Sequence, residues 1–535
     1  MKLRGTAYVV LVALVFAFAV LAGLRGIDFG WHWDETRLLG SVAESIEAAT
    51  LLPNRYNYPS ISYELALAGA LPDAAAALGD ARRVMDSGLE KEAKKAKLAG
   101  VAAQLARGVD RPEFKLRVRA IFLVVSLLTI AWVFLASLAW RGDPLEALLA
   151  AALLATSWEV GYHARWIAPD ALLMQFAALA LVPLFLARRA GTHPWRWLVT
   201  AAVAVGLAMG TKYQGVVLLA PVLVLAFERS RAEGRRAAAA VGTRLLPLAL
   251  LSGLVYLLTT PGMLLQPMRF AYDLLFELHH YRTGHGSETV APGGDHLLRV
   301  LEYLSLAAFS RYWPLALLVF ATAVAGAAVV LRRDRGAAVV LLLAPALALL
   351  SMGSLRVMIA RNLLFLLPAL ALLAARGVRA AANALPGRLA PALPGIAAAV
   401  VVAVNAHWLW TAADSIAGRS RIDHGAAIAR YLDAHPHETF CLSYGPYVAL
   451  PANERVRANV TTDPARATRY LLLTPDVRAP FGNRAGIYEQ VSGSYEVNYE
   501  WYPDWQGDSR VMAMDARYAS RMNILPAPNP AGPPP

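Results

Sequence analysis

The sequence predicts a polytopic α-helical membrane protein, with about eleven transmembrane helices and a small C-terminal α/β domain outside the membrane. Three observations carry that fold class. Of 535 residues, 57% are hydrophobic and only 17% charged, against about 45–50% and about 25% in soluble domains. Uncharged apolar stretches as long as a bilayer is thick recur from residue 7 to residue 413. The arginines fall mainly in alternate short loops, as membrane orientation requires. A soluble enzyme and a disordered chain are excluded, and so is a transmembrane barrel, whose strands would alternate in segments of about ten residues.

In chain order the spans are expected at 7–24, 118–140, 144–158, 169–187, 196–211, 213–228, 243–262, 312–331, 336–355, 358–375 and 391–413. Those at 144–158 and 358–375 are short for a bilayer and call for tilt or help from flanking residues. The first follows Lys2 and Arg4 as a signal peptide would, but no small-residue cleavage pattern follows, so it reads as a retained helix. Clusters such as Arg188, Arg189 and Arg196, or Arg332, Arg333 and Arg335, place the N-terminus in the cytoplasm and the tail outside. The net charge of +13 belongs to these loops and no nucleic-acid motif accompanies it, so nucleic acid is not an expected partner. Cys441 is the single cysteine, which rules out an intrachain disulfide and a cysteine-based zinc site.

Residues 1–413 are expected to form the membrane domain, with two long outer loops at 25–117 and 263–311. Within the first loop, residues 80–107 set Val84, Leu89, Ala93, Ala96 and Val101 opposite Lys91, Lys94, Lys95 and Lys97, the pattern of a basic amphipathic helix on a membrane surface. A solvated helix packed on its neighbour fits the same pattern. The tail, 414–525, mixes short apolar runs with helical signal near 422–434, as an α/β domain would. Residues 526–535 are proline-rich and expected to be disordered.

The richest stretch for chemistry is DFGWHWDETRLLGSVAES, where Asp34 and Glu35 stand together between Trp33 and Arg37 just beyond the first span. Two adjacent carboxylates buried without partners would be costly, so they call for a cation, a metal or a substrate hydroxyl. An acidic helix start is the plainer alternative. In WEVGYHARWIAPDALLM, Arg165, Pro169 and Asp170 sit at the outer entrance of a span, where Pro and Asp also suit a helix N-terminus. Lys212 in GTKYQG, with Arg356 and Arg361 in SLRVMIARN, falls at the same level; such cations snorkel to headgroups or, together, neutralise a phosphate. Tyr56, Asn57 and Tyr58 offer aromatic and amide groups suited to sugars, although interfacial tyrosines are common. His279, His280, His285 and His296 lack any metal-ligand spacing. Walker, Rossmann and GxSxG patterns are missing, so neither a nucleotide-driven pump nor a serine hydrolase is supported.

The order of these features, WDE, ARWIAPDALL, GLAMGTKYQG and ARNLLFLLPALALL, resembles the GT-C glycosyltransferases of the protein O-mannosyltransferase and aminoarabinose transferase type over residues 1–410. That resemblance implies a GT-C fold and transfer of a sugar from a polyprenyl phosphate to an acceptor on the outer face, with inversion. It implies Asp34 as the catalytic aspartate, Glu35 as its neighbour and Asp170 as the second acidic position. Lys212, Arg165, Arg361 and Arg37 would hold the donor phosphate, and Tyr56, Tyr58, His279 and His280 the sugar or acceptor. No cofactor is assigned; a divalent cation, Mg or Mn, is left open. Expected partners are the polyprenyl-phosphate sugar, membrane lipids, and a glycolipid, polysaccharide or protein acceptor, at a bacterial inner membrane. The tail has EWYPDWQGD at Glu500 to Asp508 rather than the WWDYG of oligosaccharyltransferases, and no β-trefoil pattern, which disfavours whole-glycan transfer to asparagine. A transporter or flippase is the competing class, but it needs its charges near mid-membrane, whereas these lie at one face. A membrane scaffold would leave the acidic pair unexplained.

Overall fold

The structure, a computed structural model, describes residues 2–28, 33–189, 193–284, 289–385 and 390–420, and in the tail 433, 436–442, 460–461, 469–473 and 511–515. Its helices are α1 (Lys2–Arg25), α2 (Trp33–Glu47), α3 (Ile61–Ala68), α4 (Leu71–Asp86), α5 (Lys91–Arg107), α6 (Pro112–Arg141), α7 (Pro144–Ala155), α8 (Trp158–Ala164), α9 (Pro169–Arg188) and α10 (Pro194–Thr211). There follow α11 (Leu219–Ala232), α12 (Ala237–Ala240), α13 (Leu246–Thr259), α14 (Gly262–Leu265), α15 (Pro267–Thr283), α16 (Gly294–Leu306), α17 (Trp313–Arg333), α18 (Arg335–Gly353), α19 (Leu367–Ala384) and α20 (Leu393–Ser420). One compact unit comprises mainly Met1–Leu24 and Asp34–Trp410; a second takes in Arg25–Trp33 and most of the tail from Thr411.

All eleven expected spans are helical, but among the described residues only 8 helices are long and apolar enough to cross a membrane. The protein is a membrane protein with fewer qualifying spans than expected. Helix α7 has 12 residues, about 18 Å of rise against a hydrocarbon core of about 30 Å. Helix α11 has 14, and α10 opens on Pro194, Trp195 and Arg196, which shortens its apolar length. Local chemistry explains these short elements. Gly142 ends α6 in a left-handed conformation at φ 69°, and the Asp143 carboxylate then caps α7 by accepting from the Leu145 and Glu146 N–H groups at 3.0 and 3.3 Å.

Burial separates inner from peripheral helices. Within the protein, 72% of the apolar window of Pro169–Arg188 and of Ala360–Ala384 is buried, against 17% for Ala237–Thr259. Helices α9 and α19 are therefore the inner ones, and each starts at a residue group that enters the site. Helices α17 and α19 cross at Gly326 and Gly377, where an added Cβ would run into the carbonyl oxygens of Leu373 and Thr322 respectively. Beyond α15 the backbone crosses to the end of α18: Arg356 N–H donates to the Tyr281 carbonyl at 2.9 Å and Val290 N–H to the Arg356 carbonyl at 2.8 Å. Those bonds fix the 3₁₀ turn Ala360–Leu366 close to the end of α15.

The amphipathic helix expected over 80–107 is two helices, α4 and α5, packed on each other. The chain breaks at Ser87, whose backbone is extended and whose hydroxyl bonds the Val84 carbonyl at 2.6 Å, followed by Gly88. In the tail the described strands are β1 (Phe440–Leu442), β2 (Val460–Thr461), β3 (Arg469–Leu473) and β4 (Val511–Asp515). They pair in the order β2-β1-β3-β4, the first two pairings parallel and the last antiparallel. Apart from Asp433, the helix expected at 422–434 lies outside the described residues, as do Glu500 to Asp508 and 526–535.

Candidate active site

Asp34 and Glu35 occupy the first turn of α2, as an acidic helix start would, yet both are buried, with 6% and 1% exposure. Neighbouring helical residues point about 100° apart, and the two carboxylates meet different partners. Glu35 takes a two-pronged bond from Arg119 of α6, Nε to Oε1 at 2.9 Å and Nη2 to Oε2 at 2.5 Å, and its Oε1 also accepts the Ile167 N–H at 3.2 Å. Because both partners are buried, removing either one strands a charge, at a cost of about 3–5 kcal/mol. Glu35→Gln is expected to lower the melting temperature of purified protein clearly, and Glu35→Leu combined with Arg119→Met to recover much of the loss. An unchanged melting curve for the single variant would contradict this.

Asp34 turns instead to a cluster of charges. Its Oδ2 lies 2.8 Å from Arg361 Nη2, and Arg361 Nε is 3.4 Å from Asp170 Oδ2. Asp170 Oδ1 takes a 2.5 Å bond from Lys212 Nζ, which also donates to Asn362 Oδ1 at 2.5 Å. Asn362 passes the network on by donating from Nδ2 to the Tyr281 hydroxyl at 3.0 Å. Tyr58 stands beside Lys212, with its ring centroid 5.6 Å from Nζ, and Arg361 lies 5.6 Å from the Trp166 ring. Two cations and two carboxylates thus balance inside the protein. Burial pushes the Asp34 carboxyl above the usual carboxylate range in spite of Arg361, with the Asp170 charge adding to the rise. It pushes the Tyr58 phenol well above its ordinary value too.

Each charged member is placed by its element. Pro169 at the start of α9 puts Asp170 in the first turn, and Lys212 follows the last residue of α10 in extended backbone at φ −153°. Arg361 and Asn362 come from the turn fixed by the α15–α18 crossing. Opposite them the loop at 54–58 is stapled to one face of α15. Asn54 bonds Gln266 at 2.7 Å; Tyr56 donates its N–H to Asp273 at 2.7 Å and its hydroxyl to Gln266 at 2.6 Å; Asn57 donates to Glu277 at 2.8 Å.

The structure thus brings Asp34, Asp170, Lys212, Arg361 and Tyr58 together and leaves other candidates elsewhere. Tyr56, expected on a sugar, is fully buried against Phe270 and spends its hydroxyl on Gln266, because the loop needs a staple there. His279 is exposed and His280 lies half-buried against Phe276 and Tyr281; the register of α15 turns Asp273, Glu277 and Tyr281 inward instead. Arg165 folds back on its own helix, donating to the Gly161 carbonyl at 3.0 Å and lying 5.6 Å from the Trp158 ring, and burial lowers its pKa to about 10. Arg37 is exposed at the edge of the cluster, where its charge acts on Asp34 and Glu277. Arg356 is exposed as well, and His296 is buried on the Leu355 carbonyl. His285 lies outside the described residues.

Sequence inspection missed Arg119, Asn362, Glu277 and Tyr281. The spacing Asp273, Glu277, Tyr281, four residues apart each time, was the available signal for a polar helix face. Among the described residues no three His, Cys, Asp or Glu side chains gather as metal ligands, and a divalent cation at Asp34 and Asp170 would have to displace Arg361 or Lys212.

Residues 104–230, which include Arg119, Asp170 and Lys212, match the family of dolichyl-phosphate-mannose-protein mannosyltransferases. Among solved structures, ArnT from Cupriavidus metallidurans in the apo state superposes with a TM-score of 0.51 at 16% identity, over 87% of this chain and 89% of that one. The chain has the GT-C fold. The same ArnT bound to undecaprenyl phosphate gives a TM-score of 0.48 at 18% identity, over 79% of this chain and 72% of that one. The Archaeoglobus fulgidus oligosaccharyltransferase gives 0.42 at 14%, over 90% and 69%. A comparison with curated proteins finds no match. In the GT-C fold of this chain, the charge cluster draws on α2, α9, the turn after α10 and the turn before α19.

Proposed function

We propose that this protein is a membrane glycosyltransferase that moves one sugar from a polyprenyl phosphate to a hydroxyl acceptor, with inversion. The observation that carries the proposal is the buried, charge-balanced cluster of Asp34, Arg361, Asp170 and Lys212. The donor is a phosphodiester whose polyprenyl phosphate is already a good leaving group, so the enzyme must supply a base for the acceptor and fixed positive charge for the departing phosphate. Glu35 is held by Arg119, Asp170 by two cations and Glu277 by Asn57; Asp34 stands at the start of α2, 2.8 Å from Arg361, and burial raises its proton affinity in spite of that charge. Asp34 takes the hydroxyl proton as the acceptor oxygen attacks the anomeric carbon. The bond from that carbon to the phosphate oxygen breaks, and its electron pair leaves with the phosphate, met by Lys212 and Arg361. A single base and no positioned nucleophile mean one displacement and inversion.

In this reading the domain at 1–413 carries catalysis, and the tail at 414–525 is proposed as an extracytoplasmic α/β module. The alternation of arginine-rich loops supports a cytoplasmic N-terminus, and the Ala- and Arg-rich composition supports a bacterial inner membrane. The acceptor is a glycolipid, a polysaccharide or a protein hydroxyl. The test is transfer by detergent-purified protein from a panel of labelled polyprenyl phosphate sugars, with membrane extract as acceptor. Release of label from one donor class is expected. No release from any donor, together with movement of a labelled polyprenyl phosphate across proteoliposomes, would replace this function with transport.

A further inference from the structure

Helix α15 brings to the cluster a carboxylate that the proposed transfer does not use. Glu277 is half-buried one turn after Asp273, and its Oε1 accepts from Asn57 Nδ2 at 2.8 Å. Asn57 is held rigidly, because the preceding Tyr56 is tied at its N–H to Asp273, at its hydroxyl to Gln266, and at its carbonyl to the Tyr213 hydroxyl at 2.6 Å. Burial pushes the Glu277 carboxyl up, while the Asn57 bond and the charges of Lys212 and Arg37 pull it down. The pair sits beside the cation that would meet the donor phosphate: Tyr58, next after Asn57, has its ring 5.6 Å from Lys212 Nζ, and Tyr281, one turn after Glu277, accepts from Asn362, which itself holds Lys212.

An anionic carboxylate repels a phosphate, so its use beside Lys212 must be for a different part of the donor. One Asn57 N–H and one Glu277 oxygen satisfy each other. By its chemistry an amide has a second N–H and a carbonyl, and a carboxylate a second oxygen, which is the set that binds vicinal hydroxyls. The anomeric carbon is one oxygen away from phosphorus, so ring hydroxyls fall within a sugar's width of Lys212. We propose that Asn57 and Glu277 form the subsite for the ring hydroxyls of the transferred sugar, and that Glu277 decides which sugar is accepted. This deepens, and rests on, the glycosyltransferase reading above. A partly buried carboxylate built to accept from a hydroxyl discriminates strongly against a donor that lacks or inverts it, since its oxygen is then left unpaired.

The test compares kcat/KM for wild type and Glu277→Gln on donors that share one polyprenyl phosphate and differ at a single ring hydroxyl, epimeric or deoxy. Wild type is expected to prefer one donor, and E277Q to shrink that preference by about tenfold or more. The Ki of sugar-free polyprenyl phosphate should weaken by no more than about twofold, because the phosphate cations are untouched and only a negative charge is removed. An unchanged donor ratio in E277Q would overturn the subsite, as would a change in preference among acceptors with none among donors, or a Ki that weakens in parallel. Should E277Q fail to fold, Asn57→Ala carries the same expectations. Wild type that turns over no donor at all would instead overturn the glycosyltransferase reading, which keeps the two failures distinct.

Discussion

Asp34→Asn is expected to lower kcat by about 10²–10⁴-fold, the usual contribution of a positioned general base, while the Ki of polyprenyl phosphate changes little. Asn keeps the shape of Asp34 and loses only the ability to take a proton. The pH dependence has a definite sign. Wild-type activity requires the ionised carboxylate, so it rises with pH through a midpoint set by Asp34, above the ordinary carboxylate range because burial lifts it. The acid limb should vanish from the residual activity of the variant. Stability runs the other way. A carboxyl whose folded-state pKa is raised contributes stability below its unfolded pKa and loses it as pH rises through the folded value, so at neutral pH the ionised Asp34 is a net cost. Against that, neutralising Asp34 takes a partner from the buried Arg361, so the melting curve of Asp34→Asn at pH 7 is measured beside its kcat. A variant with near wild-type kcat would refute the base assignment, and a variant inactive only because it melts much lower would place Asp34 in the structure instead.

How much of this could be read beforehand depends on the kind of information needed. Asp34, Asp170, Lys212 and Arg361 stand out because an ionisable residue beside a long apolar run is rare and costly. Their mutual pairing was not legible, since partners lie far apart in the chain: Asp170 and Lys212 by 42 residues, Lys212 and Asn362 by 150, Glu35 and Arg119 by 84. Arg119 was hidden at the edge of a stretch that reads as an uninterrupted span. Tyr56, His279 and His280 suggest themselves by residue type, which says nothing of which way a loop or helix turns; the register of α15 sends Glu277 and Tyr281 inward instead. The span count differs from the number of qualifying helices among the described residues for a related reason. Apolar runs at 144–158, 196–211 and 213–228 fold as helices, but a core helix buried among others needs apolar residues without needing bilayer length.

Lys212→Met is expected to cost about 10²–10³ in kcat/KM, the range for removing one preorganised charge from a developing anion. Its signature differs from that of Asp34→Asn, because the Ki of sugar-free polyprenyl phosphate should weaken along with catalysis. Lys212→Arg should not rescue: the ammonium is gripped between Asp170 Oδ1 and Asn362 Oδ1 at 2.5 Å each, a space suited to a compact point charge and too tight for a planar guanidinium. Removing the lysine also leaves Asp170 buried with less compensation, so some loss of folding stability must be separated from loss of function. The double variant Lys212→Met with Asp170→Asn does this. Neutralising both partners should bring the melting temperature back toward wild type, yet leave the weakened Ki in place, since no cation returns. If the double variant instead regained wild-type Ki and turnover, Lys212 would be serving only to neutralise Asp170, and the departing phosphate would have to be met by Arg361 alone.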